Sequence, residues 1–255
     1  MKLIYCLLLC VPLAAAQTAI PVPARNATST QTTAVPNPTP AKIAHMENML
    51  QDWPDLARYR AENATLPAPT PTENRVIFMG DSITDGWGHG SAFFPGRSYI
   101  NRGISGQTTP QMLVRFQPDV IALQPKVVVI LAGTNDIAGN TGPSTPQMIE
   151  DNFMSMTQLA QANHIRVVLA SILPAASYPW RPGIDPVAEI RTLNTWMREY
   201  SVRSGAVFLD YYSAMATAGG GMKQGLSIDG VHPNAAGYAI MSPLAEQAIA
   251  QAIAH

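Results

Sequence analysis

Residues 75–84 read RVIFMGDSIT, an apolar run that leads into a polar turn. The first half of this stretch is rich in β-branched and aromatic residues, which is typical of a buried strand. Similar runs recur at 126–132, 166–172 and 206–209, with a weaker one at 98–101. Helical stretches lie between them at 110–123, 146–163 and 186–204, and a last one at 235–254 closes the chain. This alternation predicts an α/β fold, a three-layer α/β/α sandwich around a mainly parallel five-stranded sheet.

Polar turns that contain glycine follow three of the predicted strands. The first strand leads into GDSIT at 80–84, the second into NRG at 101–103 and the third into GTND at 133–136. Functional groups collect at the carboxyl ends of strands in such sheets. We therefore expect the three turns to form one site.

The N-terminal sequence predicts export. Lys2 precedes an apolar run that ends at Leu13, and AAA at 14–16 provides an Ala-x-Ala cleavage site before Gln17, so residues 1–16 have the pattern of a secretory signal peptide. The run is too short to span a bilayer permanently. We expect a secreted or periplasmic protein with no stable membrane insertion.

Three regions are predicted in the chain. After the signal peptide, residues 17–40 are rich in Pro, Thr and Ala and are expected to be a flexible linker. Residues 41–255 form the folded domain, with its core at 75–254 and a helical segment at 43–60 that Pro54 interrupts.

Cysteine content and sequons leave two points open. Both cysteines, Cys6 and Cys10, lie in the predicted signal peptide, so the mature chain would contain no thiol and no disulfide. Lipid attachment at Cys10 is the alternative to cleavage near Ala16. The sequons at Asn26 and Asn63 matter only in a host that glycosylates them.

Composition excludes several partner classes. A net charge of −1 gives no electrostatic reason to expect nucleic acid or an anionic membrane surface as a partner. No motif resembles a metal or nucleotide site, so no cofactor and no metal are expected. The oligomeric state stays open.

Acyl transfer needs a nucleophile, a base and a group that orients the base. Ser82 follows a strand at a turn that exposes its hydroxyl, although a serine there also serves as a helix cap. Of the five histidines, only His232 has a carboxylate, Asp229, three residues before it in a loop shaped by Gly and Pro. That spacing allows Asp229 to orient His232. A polar loop that caps the last helix is the alternative.

Two further residues are candidates for the oxyanion hole. Gly103 can present its backbone N–H closely because it lacks a Cβ, and Asn135 can donate from its side-chain amide. A turn glycine and an Asx turn are the alternatives for these two positions.

Together these residues resemble the SGNH hydrolase family, the GDSL-like lipases and esterases. The family's four letters fall on Ser82, Gly103, Asn135 and His232, in the family's chain order. The surrounding blocks are VIFMGDSIT at 76–84, NRGISG at 101–106, AGTND at 132–136 and DGVHPN at 229–234. The resemblance covers about residues 75 to 254 and is nearest to the platelet-activating-factor acetylhydrolase-like group. Ile83 replaces the leucine of the family's older name.

The resemblance implies the SGNH/flavodoxin-like form of the fold and a secreted serine esterase. Ser82, His232 and Asp229 would be its catalytic triad, and the oxyanion donors would be Ser82, Gly103 and Asn135. Short acyl esters, chiefly acetyl and including acetylated carbohydrates, would be the substrates. A catalytically silent module that binds glycans or partners, and a secreted acyltransferase, are the alternatives.

Aromatic and basic side chains near the expected site are weaker candidates for substrate binding. Trp87, with Phe93 and Phe94, would line a pocket, although core packing is the usual role of aromatic residues. Tyr178, Trp180 and Arg181 follow the fourth strand and would overhang the cleft.

Overall fold

The computed structural model describes residues 38–89 and 93–254. The predicted signal peptide, nearly all of the predicted linker, Cys6, Cys10 and the Asn26 sequon lie outside these residues. In the part that is described, no helix combines the length and the hydrophobicity that a membrane crossing needs.

Five parallel strands form one sheet in the order β2-β1-β3-β4-β5. The strands are β1 (Val76–Gly80), β2 (Tyr99–Gly103), β3 (Val127–Leu131), β4 (Arg166–Ala170) and β5 (Val207–Leu209). The register pairs Gly80 with Gly103 on one side and with Leu131 on the other. The carboxyl ends of β1, β2 and β3 are therefore level, and the turns that follow them share one edge of the sheet.

Helices cover both faces of the sheet. They are α1 (Pro40–Gln51), α2 (Arg60–Thr65), α3 (Ser82–Asp85), α4 (Thr109–Asp119), α5 (Thr134–Ile137), α6 (Pro146–Ala162), α7 (Val187–Ser204), α8 (Tyr211–Met215) and α9 (Ala235–Ala254), with a 3₁₀ turn at Ile121–Leu123. Ile77 and Met79 of β1 belong to the core under α4, α6 and α7, whereas Val76 and Phe78 belong to the core under α8 and α9. Burial on both faces explains the continuous apolar runs of the strands. The predicted three-layer α/β fold is confirmed.

The helical segment expected at 43–60 was predicted to be interrupted at Pro54, and the structure has a break there. The break is longer than one residue, because α1 ends at Gln51 and α2 begins only at Arg60. Between them, the Asp52 carboxylate accepts hydrogen bonds from the backbone N–H groups of Leu56 and Ala57. A side chain that binds the backbone in this way competes with helix continuation.

A buried arginine joins the core to the edge where the turns meet. Arg115 of α4 is fully buried and pairs with Asp119 at 3.1 Å. It also donates to the carbonyl of Gly80 at 3.1 Å and to the side chain of Gln107. These bonds fix the end of β1 and the turn after β2 relative to each other.

Candidate active site

Ser82 is the first residue of α3, and only Asp81 separates it from the end of β1. The side chain of Asp81 caps this helix, since its Oδ1 accepts from the N–H of Ile83 at 2.9 Å. The first residues of a helix have no intrahelical acceptor for their N–H groups. Among residues 38–89 and 93–254, no hydrogen bond from the N–H of Ser82 is found.

A line of two hydrogen bonds joins the predicted nucleophile, base and acid. Ser82 Oγ lies 2.9 Å from His232 Nε2, although the two residues are 150 positions apart. His232 Nδ1 lies 2.8 Å from Asp229 Oδ2. The structure thus brings together all three residues expected to form the triad. Such an arrangement can take a proton from a serine hydroxyl.

The loop that carries the histidine is held by its own carboxylate. Asp229 Oδ1 accepts from the backbone N–H groups of His232 at 2.8 Å and Val231 at 3.0 Å. Partial burial alone raises the pKa of Asp229. The hydrogen bonds from His232 and Val231 outweigh that effect, so the pKa is lowered below its ordinary value. Asp229 is therefore ionised when it faces the imidazole.

Asn135 lies in α5, at the end of β3, and is buried. Its Nδ2 donates to the carbonyl of Gln107 at 3.1 Å and more weakly to Asp81 Oδ2 at 3.3 Å. The side-chain amide is therefore directed toward the turns after β1 and β2.

Gly103 has a different role from the one predicted. Its N–H donates to Asn101 Oδ1 at 2.8 Å, and its carbonyl accepts from the Tyr59 hydroxyl. A Cβ at this position would lie 2.1 Å from the backbone nitrogen of Asp85. Gly103 permits α3 to pack closely on β2, and its N–H is not free to bind an oxyanion.

Gly106 is the glycine whose N–H remains available. It is exposed, its φ is 80°, and its N–H donates no hydrogen bond within the described ranges. Its carbonyl accepts from Asn140 Nδ2 at 3.2 Å. The motif NRGISG contains both glycines, and only the positive φ and the unused N–H distinguish Gly106.

Two buried carboxylates, those of Asp81 and Asp136, stabilise turns. Neither takes part in the hydrogen bonds that join Ser82, His232 and Asp229. Burial raises the pKa of Asp81 to about 7, against the opposing effect of the hydrogen bond from Ile83 and the charge of His232. Burial likewise raises the pKa of Asp136 to about 6, while Thr109 donates to it from both its N–H and its hydroxyl.

Trp180 lies beside the histidine, as the sequence suggested. Its ring centroid is 5.7 Å from that of His232, and about a third of the residue is exposed. Tyr178 stacks against Trp180 at 5.1 Å but is buried, so it supports the indole and does not face solvent. Arg181 is exposed and donates to the carbonyl of Gly139 at 2.9 Å, which fastens this segment to the loop after α5.

The prediction that Trp87 lines a substrate pocket is wrong. Trp87 is 4% exposed and stacks on Tyr238 of α9 at 5.1 Å. Phe93 and Phe94 pack against Trp87 and Phe78 in the same aromatic cluster. These aromatic residues form the core on the α9 face of the sheet.

A groove of about 300 Å³ begins at the turn after β2. The residues around it include Met49, Trp53, Ile104, Gly106, Asn140 and Thr141. The groove therefore extends from Gly106 toward the segment that follows α1. No cluster of His, Cys, Asp and Glu side chains suited to a metal ion is found among residues 38–89 and 93–254.

Comparison with known proteins shows the family of the chain. The family described as GDSL-like Lipase/Acylhydrolase matches residues 78–240. The solved structure of a GDSL-like lipase from Bacteroides thetaiotaomicron VPI-5482 is 45% identical, covers 78% of this chain and 99% of that chain, and superposes with a TM-score of 0.76.

Two curated relatives match over shorter segments. An acetylxylan esterase of Geobacillus stearothermophilus is 34% identical over 25% of this chain and 40% of its own length. The uncharacterized lipoprotein YqeF of Bacillus subtilis (strain 168) is 33% identical over 29% of this chain and 32% of its own length. The matched segments thus span less than half of either relative. The family match, in contrast, extends from β1 into α9 and includes Ser82, Asn135, Asp229 and His232. The chain belongs to the GDSL-like lipase/acylhydrolase family.

Proposed function

We propose that this protein is a serine esterase that hydrolyses short-chain acyl esters, chiefly acetyl esters, of carbohydrates. Membership of the family implies ester hydrolase activity. The observation that carries the proposal is the pair of hydrogen bonds from Ser82 Oγ to His232 and from His232 to Asp229, at 2.9 and 2.8 Å.

Acylation begins with the Ser82 hydroxyl. His232 Nε2 takes its proton while Oγ forms a bond to the carbonyl carbon, and the carbonyl electron pair moves to oxygen. Asp229 keeps the proton of His232 on Nδ1, so the Nε2 lone pair faces Ser82. The intermediate then collapses, the bond to the alkoxy oxygen breaks, and His232 gives its proton to the leaving alcohol.

Deacylation repeats these steps with water. His232 takes a proton from water as the water oxygen attacks the acyl carbon. The bond to Ser82 Oγ breaks, Oγ regains the proton from His232, and the carboxylic acid leaves. The ionised Asp229 stabilises the imidazolium in both halves of the reaction.

Three donors are assigned to the oxyanion: the N–H groups of Ser82 and Gly106 and the amide of Asn135. The first two are supported by their unused N–H groups, and Asn135 by its position at the end of β3. A substrate oxygen that accepts from Asn135 Nδ2 would replace the weak 3.3 Å contact of this amide with Asp81 Oδ2. Each such donor contributes about 2.7–4 kcal/mol to transition-state stabilisation.

The leaving group is assigned to the side of Trp180. His232 must protonate the leaving oxygen, so the alcohol lies next to this histidine and within reach of the adjacent indole. An exposed aromatic face binds the apolar face of a sugar ring, as aromatic surfaces bind other amphipathic partners. The similarity to an acetylxylan esterase supports a carbohydrate leaving group.

Export through a signal peptide of residues 1–16 completes the proposal. The mature chain would begin at Gln17 and contain no thiol. Intact mass and thiol titration of exported protein test this, and retention of Cys10 with a lipid mass would replace secretion by membrane anchoring.

The activity itself is tested with Ser82→Ala. The wild type should release free acetate from p-nitrophenyl acetate and from acetylated xylo-oligosaccharides, and Ser82→Ala should not, with an unchanged thermal melt. Retained turnover in the variant would falsify the assignment of the nucleophile. Binding of the sugar without any turnover by the wild type would favour a silent binding module, and an acetylated product with an added alcohol would favour an acyltransferase.

A further inference from the structure

The loop after α5 contains one side chain that contacts three separate parts of the site. Asn140 Nδ2 donates to Asn135 Oδ1 at 2.8 Å and to the carbonyl of Gly106 at 3.2 Å. Asn140 Oδ1 accepts from the indole N–H of Trp180 at 3.1 Å. No motif in the sequence indicates Asn140.

The three partners determine which way the Asn140 amide points. Two of them, Asn135 Oδ1 and the carbonyl oxygen of Gly106, are acceptors, and the third, the indole N–H of Trp180, is a donor. A reversed amide would place its oxygen against two oxygens and its NH₂ against an N–H. The orientation is therefore fixed by the partners, and each polar group of the side chain is used.

The backbone around Asn140 makes this position stable. The N–H of Asn140 donates to the carbonyl of Asn135 at 3.0 Å. Arg181 holds the preceding carbonyl, that of Gly139, and Thr141 bonds the hydroxyl of Thr108 at 3.0 Å. The loop is thus attached both to the turn after β2 and to the Trp180 segment.

We propose that Asn140 is a positioning residue that fixes the oxyanion donors and links them to the Trp180 side of the site. This proposal rests on the proposed esterase function. By donating to Asn135 Oδ1, Asn140 keeps the donor end of the Asn135 amide toward the reacting carbonyl. By donating to the Gly106 carbonyl, it fixes the peptide turn that presents the Gly106 N–H. Preorganised donors of this kind stabilise the transition state because they need no rearrangement when the charge forms.

Two substitutions separate this role from simple support of the loop. Asn140→Ala removes all three bonds. Asn140→Asp keeps an acceptor for the Trp180 indole but replaces both donors by a carboxylate that faces two oxygens. We expect each variant to lower kcat for p-nitrophenyl acetate about 10- to 100-fold with KM changed less than about threefold, because the affected contacts act on the transition state. Asn163→Ala, at the exposed end of α6, is the matched control and should retain full activity.

A double-mutant cycle with Asn135 is the decisive measurement. If Asn140 acts largely through Asn135, adding Asn140→Ala to Asn135→Ala should lower kcat much less than Asn140→Ala does alone. Circular dichroism and thermal melts confirm that each variant is folded.

Each outcome bears on the proposal. Wild-type kcat in Asn140→Asp, or full additivity in the cycle, would overturn the positioning role while the esterase function stands. A wild type without esterase activity would overturn both. A reduced kcat in both Asn140 variants, together with a non-additive cycle, would establish the proposal.

Discussion

The side chain of Asn101 accepts a hydrogen bond from the backbone N–H of Gly103, two residues further along the same strand, at 2.8 Å. This bond is made within β2 and occupies the N–H of Gly103. It leaves Gly106, three residues later, as the glycine that can donate to an oxyanion. We therefore propose separable roles for the two glycines: Gly103 allows α3 to pack on β2, and Gly106 donates to the reacting oxygen.

We predict that Gly106, and not Gly103, responds when the oxyanion site is filled. A phosphonate that reacts with Ser82 places a charged oxygen where the oxyanion forms. The amide proton of Gly106 should then move strongly downfield in ¹H–¹⁵N spectra, because a charge-assisted hydrogen bond is shorter and stronger than a bond to water. The amide proton of Gly103 should stay near its position in the free enzyme. The reverse pattern would restore Gly103 as the donor.

We predict that Asp229→Asn retains the fold but loses most activity. An asparagine can still accept the N–H groups of His232 and Val231 through its oxygen, so the loop keeps its shape. Its NH₂ group would then face His232 Nδ1 and stabilise the wrong tautomer, and the negative charge beside the imidazolium would be lost. By analogy with other triads, kcat should fall about 10³- to 10⁴-fold. A loss below tenfold, measured with p-nitrophenyl acetate, would show that Asp229 does not orient the base.

The fold was predictable because long apolar runs and long helices carry strong periodic signals. Each of the five predicted strands overlaps an observed one, and the last helix has the predicted bounds, Ala235–Ala254. Short helices such as α5 and α8 were not predicted, since four or five residues hold too little periodicity to recognise. The division between α1 and α2 depends on Asp52, a side chain that binds the backbone beyond it.

The site was predictable where its chemistry is local in sequence. Asp229 and His232 share one turn, and Ser82 follows a recognisable strand. In contrast, the choice between Gly103 and Gly106 depends on which of the two N–H groups already donates to a side chain. The burial of Trp87 depends on Tyr238, which is distant in sequence. Such contacts form only in the folded chain.

We predict that stability decreases as pH rises from about 4 to 7. The buried Asp81 has its pKa raised by burial to about 7, against an ordinary value of 3.8. Across this window the unfolded chain has lost the proton while the folded chain retains it. The folded state binds more protons, so the free energy of unfolding falls with rising pH. Asp136, with its pKa raised to about 6, acts in the same direction.

Urea unfolding between pH 4.5 and 8 tests this dependence. Asp81→Asn should show a clearly smaller slope than the wild type, with Asp136 contributing to the slope that remains. An unfolding midpoint of the wild type that rises steadily from pH 5 to 8 would contradict the assignment of raised pKa values to these carboxyls.

We predict that Trp180 contributes to binding of the sugar. Trp180→Ala should raise KM for acetylated xylo-oligosaccharides about 3- to 10-fold, which corresponds to the roughly 0.5–1.5 kcal/mol of an aromatic contact. Trp180→Phe removes the N–H that donates to Asn140 but keeps an aromatic face. Because the aromatic face is kept, its KM should stay closer to that of the wild type. Because p-nitrophenyl acetate carries no sugar, its KM should change little in either variant. An equal rise of KM for both substrates in Trp180→Ala would argue against a sugar contact.

We predict that acetyl and butyryl esters are better substrates than decanoyl esters, by at least about tenfold in kcat/KM. The apolar side chains that follow Ser82 in the chain, Ile83 and Trp87, are packed in the core and cannot line an acyl channel. A closed channel would gain about 0.8 kcal/mol for each methylene that it buries. The groove at Gly106 is open, so a long chain there would stay in contact with water and would still lose conformational entropy on binding.

The measurement is kcat/KM for p-nitrophenyl esters from acetyl to decanoyl, each kept below its micellar concentration. A profile that is flat or rises with chain length would contradict the preference for short acyl groups. Trp53→Ala would then show whether the groove is responsible, because Trp53 lines the groove but is distant in sequence from Gly106. If the variant loses only the long-chain activity, the groove binds the acyl chain. The roles of Ser82 and His232 would be unaffected, since their hydrogen bond does not involve Trp53.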